Sequence, residues 1–161
     1  MRKVLPLLAL LLFASCSGTP DKPAFSDFLE IRDIVEDDPL AHQFASLGGE
    51  KYRLGDPMIY GRSVNRFQIK AVSPEQYDML ITLTGAEDAR WRRFARSRIG
   101  KTVALVVDGK VQATFPVIDP GPPAEDKLLV ITIPAVCESE KDAQRLEQFL
   151  ETSKKPLKKE K

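Results

Sequence analysis

The chain has 161 residues, 24 basic and 23 acidic side chains, a single histidine and a formal charge of +1, with 43% hydrophobic residues. This balance excludes bulk electrostatic attraction to nucleic acid, while the length and apolar content suit one domain with a proper core. Two cysteines, Cys16 and Cys137, exclude a disulfide framework and offer no cysteine pair for zinc.

In chain order the first feature is a leader. Met1-Arg2-Lys3 is followed by an apolar run from Val4 to Phe13 and then by the small residues Ala14-Ser15 ahead of Cys16. A charged start, a short apolar stretch and small residues read as a cleavable signal over residues 1–15. About ten apolar residues rise only ~15 Å as a helix, half of a ~30 Å hydrocarbon core, so this segment does not span a bilayer by itself. Phe13-Ala14-Ser15-Cys16 resembles the bacterial lipobox, in which the cysteine becomes the first mature residue and is acylated. That resemblance implies Cys16 as a lipidation site and membrane lipid as the first partner. An ordinary secretory signal is the alternative. Ser17 stands where Asp would favour the inner membrane, so the outer membrane is the expected address. Removal of residues 1–15 leaves 22 basic and 23 acidic residues, a formal charge of −1.

Residues 16–24 read as a lipidated tether, residues 25–151 as the folded domain, and residues 152–161, rich in lysine, as a disordered tail. Within the domain, residues 28–35 have the apolar and β-branched content of a strand, ended by Asp37-Asp38-Pro39. Residues 39–55, with Gly48-Gly49, read as a loop carrying His42. Residues 66–72 alternate, with Phe67, Ile69 and Ala71 on one face and Arg66, Gln68 and Lys70 on the other. Residues 77–83 alternate again, and Ser73-Pro74-Glu75-Gln76 joins the two as a hairpin.

Thr84 and Glu87 have capping-box spacing for a helix reaching about Arg98 and stopped by Gly100. A second hairpin joins residues 102–107 to 111–117 through Asp108-Gly109, a dipeptide suited to the positive φ angles of a tight turn. Prolines at 120, 122 and 123 break the chain before a short strand over 128–133. Residues 139–150 form an amphipathic helix with Ala143, Leu146, Phe149 and Leu150 on its apolar face. The pattern predicts an α+β fold, a mainly antiparallel sheet with two helices packed on one face.

Catalytic constellations are scarce: a lone histidine, no nucleophile elbow, no phosphate loop. The acidic run Asp33, Glu36, Asp37, Asp38 lacks the alternating ligands of a calcium loop. We therefore expect no catalytic residue, no metal and no cofactor. Cys137 reads as a small packed or half-exposed residue, with an intermolecular disulfide or a redox role as the alternative. The helix over 85–98 concentrates arginine at 90, 92, 93, 96 and 98. Its bland reading is a solubilising face. Its functional reading is a surface for acidic groups. Phe67, Ile69, Arg90 and Arg93 are the candidate binding residues.

Residues 51–151 carry a resemblance. The string Lys51-Tyr52-Arg53-Leu54-Gly55-Asp56-Pro57-Met58-Ile59-Tyr60-Gly61 comes first, followed by Gly85-Ala86. Gly100-Lys101 leads into a strand ending Asp108-Gly109, the outgoing strand closes on Pro116, and the final helix begins with Glu138 to Ala143. Together these are similar to the head part of the first periplasmic domain of SecD/SecDF. The Pro-rich segment after Pro116, with Ile131-Thr132-Ile133-Pro134, departs from the glycine-bearing stretch usual there, so residues 119–127 transfer least. The resemblance implies a ferredoxin-like, SecD periplasmic-head-like α+β domain and capture of unfolded exported polypeptide or contact with Sec translocon subunits. SecD/SecDF proteins drive such a head with a transmembrane bundle that uses the proton gradient, and this sequence shows no such segment, so a motor is not expected. The expected function is a non-catalytic, envelope-located binding accessory on the periplasmic side. The alternative is a structural lipoprotein that uses the fold for an unrelated partner.

Overall fold

The computed structural model describes residues 28–122 and 128–154; the signal, Cys16, the tether, part of the Pro-rich loop and the last seven residues lie outside them. The elements are β1 (Leu29–Ile34), β2 (His42–Ala45), β3 (Lys51–Tyr60), a 3-10 turn (Gly61–Ser63), β4 (Val64–Ser73) and β5 (Gln76–Leu83). They continue with α1 (Gly85–Arg96), β6 (Thr102–Val107), β7 (Lys110–Pro116), β8 (Val130–Cys137) and α2 (Glu140–Lys154). The α+β class, the antiparallel pairing of named strands and the two helices agree with the sequence reading.

The strands divide into two sheets where one was expected, with orders β2-β3-β1-β6-β7 and β4-β5-β8. The division falls at Gly61–Ser63, where the chain leaves β3, makes one 3-10 turn and starts the second sheet. A Cβ on Gly61 would lie 2.6 Å from the Phe28 ring, so only glycine allows the chain to turn this close to that side chain. The helices accordingly lie against different sheets: α2 touches β4 and β8, and α1 touches β3.

A single main core joins both sheets and both helices. β1 contributes Leu29 and Ile31, β5 contributes Met79, Ile81 and Leu83, α1 contributes Trp91, Phe94 and Ala95, and α2 contributes Ala143, Leu146 and Leu150. After the exposed Thr102, β6 is apolar from Val103 to Val107 and buried on both faces. Val103, Leu105 and Val107 enter the main core, while Ala104 and Val106 point the other way into a second cluster with Leu54 and Val111.

That second cluster exists because the larger sheet curls. Ser46, at the end of β2, bridges to Val111 of β7, and the Leu47 amide donates to the Val111 carbonyl at 3.3 Å, so the first and last strands of the sheet meet. Inside the curl Glu30 is fully buried and Arg32 nearly so. The Arg32 Nε donates to Glu30 Oε2 at 2.7 Å, its Nη1 donates to the Gly55 carbonyl at 2.8 Å, and the guanidinium lies 4.9 Å from the centre of the Phe44 ring.

The loop expected over residues 39–55 is a correction: β2 and the start of β3 form a hairpin there, turned by Gly48-Gly49, and His42 is an exposed residue of β2. Gly55 and Pro57 disguise β3 as a loop. Pro57 faces Arg32 where the β1–β3 register shifts, and an irregular ladder step tolerates a residue with no amide donor. The last strand is also corrected, from 128–133 to Val130–Cys137. It passes through Pro134 and Ala135 by a bulge opposite Tyr77 and Met79, where Ala135 takes φ 51° and donates its amide to Asp78 Oδ1 at 3.0 Å.

Three local expectations meet mixed outcomes. The Asp108-Gly109 turn forms as expected, with φ 49° and 72°. Thr84 occupies the cap position of α1, but its hydroxyl makes no capping bond. Its main-chain oxygen instead receives the amides of Glu87 and Asp88, and Glu87 turns toward Arg90, 3.7 Å away, so no capping box forms. The helix ends at Arg96, and Arg98 leaves the helical stripe to donate to Asp33 Oδ2 at 2.9 Å. At the other end, the Ser139 hydroxyl accepts the Asp142 amide at 3.2 Å and α2 runs on to Lys154, three residues beyond the expected domain end at 151.

Candidate functional site

β4 is an edge strand. Its inner side pairs with β5 from Val64 to Ser73, and among the described residues no strand pairs with its outer side. A row of amide donors and carbonyl acceptors is therefore open for about the length of a seven- to ten-residue peptide. Alternation along the strand sends Phe67 and Ile69 toward the main core, where both stay half-buried, and leaves Arg66, Gln68 and Lys70 exposed on the opposite face. Val72, in the register shift before the hairpin turn, is an exposed apolar residue at 58%.

Beside this edge α2 forms one wall of an open cleft of about 680 Å³, lined by Asn65, Arg66, Phe67 and Gln68 from β4 and by Glu147, Glu151 and Lys154 from α2. The three helical residues recur at i, i+4 and i+7, which places them on one stripe. The Lys154 ammonium donates to the main-chain oxygen of Asn65 and lies 5.8 Å from the centre of the Phe67 ring.

The structure does not bring the four candidate residues together. Phe67 lines the β4–α2 cleft and Ile69 follows it on β4, whereas Arg90 is exposed on α1 beside Glu87 and Arg93 lines a separate cleft with Asp88, Arg92 and Arg96. Arg92 departs from the solubilising-face reading. It is buried, forms an ion pair with Asp88, and donates to the carbonyls of Pro120 at 2.9 Å and Gly121 at 2.8 Å. Its role is to hold the start of the Pro-rich loop against α1. Cys16 lies outside the described residues.

Cys137 is packed rather than poised for chemistry. Burial, and secondarily the nearby Asp142 carboxylate, push its thiol up to about 11, which keeps it neutral and poorly nucleophilic at neutral pH. It sits where β8 approaches β7, and Gln112 Nε2 donates across that seam to the Val136 carbonyl at 2.6 Å. Tyr52 is also raised, chiefly because its hydroxyl donates to Glu50 Oε2 at 2.6 Å. The residues of α2 that complete the β4 cleft were missed at the sequence level, although the i, i+4, i+7 spacing of Glu147, Glu151 and Lys154 was there to read.

No family model and no curated protein sequence matches the chain. Solved structures do match its fold. A structure of SecDF, described as a membrane component that enhances protein export, has a TM-score of 0.55 and 16% identity over 76% of this chain and 60% of that one. SecDF in its super-membrane-facing form has a TM-score of 0.56 and 17% identity over 76% of this chain and 18% of that one. The chain thus has a SecD periplasmic-like α+β fold, and the resemblance read from residues 51–151 holds at the level of fold. It spans about 60% and 18% of the length of these two SecDF chains. Among the described residues no helix is long and apolar enough to cross a membrane.

Proposed function

We propose that this protein is a lipid-anchored component of the bacterial cell envelope that faces the periplasm and binds extended polypeptide without catalysing a reaction, as an accessory to Sec-dependent export. The observation that carries the reading is the open outer edge of β4 beside the α2 cleft, on a fold shared with SecDF. An unfolded segment lying along that edge gains main-chain hydrogen bonds whatever its sequence, which suits a binder of many exported chains. The anchor is supported by Phe13-Ala14-Ser15-Cys16. Two or three acyl chains at ~0.8 kcal/mol per buried methylene hold a protein firmly at a membrane.

A photo-crosslinking residue at Gln68, exposed on β4, tests the partner in intact cells. Recovery of exported chains or Sec subunits is expected, and recovery of only an unrelated envelope protein overturns the export reading. For the anchor, Cys16→Ser is expected to move the protein into the soluble periplasmic fraction. Continued membrane retention of an unacylated chain rejects it.

A further inference from the structure

We infer that the β4 edge selects extended segments that direct a lysine or arginine toward α2, and that Lys154 occupies this position until such a segment displaces it. The inference rests on the reading that β4 receives polypeptide, and it names the chemistry of the segment.

Lys154 shows what the cleft accepts. Its ammonium reaches from the last turn of α2 across to the Asn65 carbonyl and the Phe67 ring, although Glu151 lies one helical turn back on the same stripe. Glu147 and Glu151 line the same cleft, and among the described residues neither carboxylate has an ion-pair or hydrogen-bond partner. Besides Arg66 at its rim, the cleft therefore holds one carbonyl and one aromatic face that engage the Lys154 ammonium, and two carboxylates that it does not pair with, a set that favours a second cation once the first moves aside.

Geometry sets where that cation must sit. A strand added to β4 lies about 4.8 Å beyond it, and its side chains alternate between the two faces of the sheet. Those on the Phe67 face meet α2 and its two glutamates, whereas those on the other face lie beside Arg66, Gln68 and Lys70. The preferred segment thus has a basic residue on one face and polar or acidic residues on the other. Lys154 also protects the edge from indiscriminate pairing, as a charged side chain placed on an edge strand does.

The test uses the purified full-length chain and two labelled eight-residue peptides of alternating threonine and valine, one with a central lysine and one with glutamine in its place. Fluorescence anisotropy measures affinity, and hydrogen exchange of the β4 amides reports where each peptide lies. The lysine peptide is expected to bind about fivefold more tightly, and the Glu147→Gln/Glu151→Gln variant to hold both within about twofold of each other. Lys154→Ala is expected to tighten binding of both peptides by about twofold or more. Circular dichroism confirms that the variants are folded. If both peptides protect β4 equally well in the unsubstituted protein, the basic-residue inference is overturned while β4 remains a polypeptide site. If neither peptide slows exchange at β4, the edge reading falls and the inference falls with it. An unchanged affinity in Lys154→Ala overturns the displacement step.

Discussion

The two sheets treat their polar groups in opposite ways. The five-stranded sheet curls until β2 meets β7, and it encloses the Glu30–Arg32 ion pair with the Gly55 carbonyl and the Phe44 ring as further partners. In the three-stranded sheet β4 has, among the described residues, an outer side that no strand covers, where Lys154 reaches the Asn65 carbonyl. One sheet satisfies itself internally and so supplies stability. The other keeps hydrogen-bonding capacity unspent where a partner can reach it.

The comparison breaks most sharply at Arg32. Arg32→Ala leaves the Glu30 carboxylate in the interior of the curl without its guanidinium, and a loss of about 3–5 kcal/mol is expected by urea unfolding. Replacing Glu30 and Arg32 together by leucine and methionine is expected to cost far less, because the buried carboxylate is then removed along with its guanidinium. At the corner where the sheets part, Gly61→Ala drives a methyl group into the Phe28 ring and is expected to cost about 1–3 kcal/mol. The loss shrinks when Phe28→Leu is added, since the two side chains then no longer compete for one space. Non-additivity in a double-mutant cycle measures this.

The seam between the sheets carries a pH signature. The Cys137 thiol is raised in the folded protein, so the folded state holds its proton more tightly than the unfolded chain does. Its contribution is complete below about pH 9 and is lost as pH rises toward about 11. Melting temperatures across that window are expected to fall less steeply for Cys137→Ala than for the unsubstituted protein. On the open edge the expected effect is smallest: Lys154→Ala changes stability by no more than about 0.5 kcal/mol, because an exposed lysine on a carbonyl contributes little. A large loss there would make the edge a structural element like the curl.

The elements with clean periodicity were legible from the residues. Met79, Ile81 and Leu83 alternate because β5 presents one face to the core, and Asp108-Gly109 marks its turn because few other pairs accept two positive φ angles. β2 and β3 were not legible, since Gly48-Gly49 and Gly55-Asp56-Pro57 carry the chemistry of loops, and β3 is held as a strand by long-range pairing with β1 while β2 is held by its hairpin with β3. Burial of Arg92 was hidden for the same reason, because its carbonyl partners at Pro120 and Gly121 lie far along the chain. Half of the candidate site, Phe67 and its strand, followed from alternation. The other half, on α2, did not, because the lysine-rich composition after residue 151 masked a helix that continues to Lys154.

The place of β1 in its sheet governs the order in which the protein can take shape. β1 is the first strand among the described residues, yet its neighbours are β3 and β6, so its pairing with β3 is complete only with Tyr60 and its pairing with β6 only with Val107. The hairpins β4–β5 and β6–β7 close locally and early, whereas the central strand waits on distant chain. A chain of this topology that emerges from its N-terminus therefore leaves its larger sheet incomplete until roughly two thirds of it is present. The extended state of such an incomplete chain is the kind of segment that the proposed function assigns to the β4 edge.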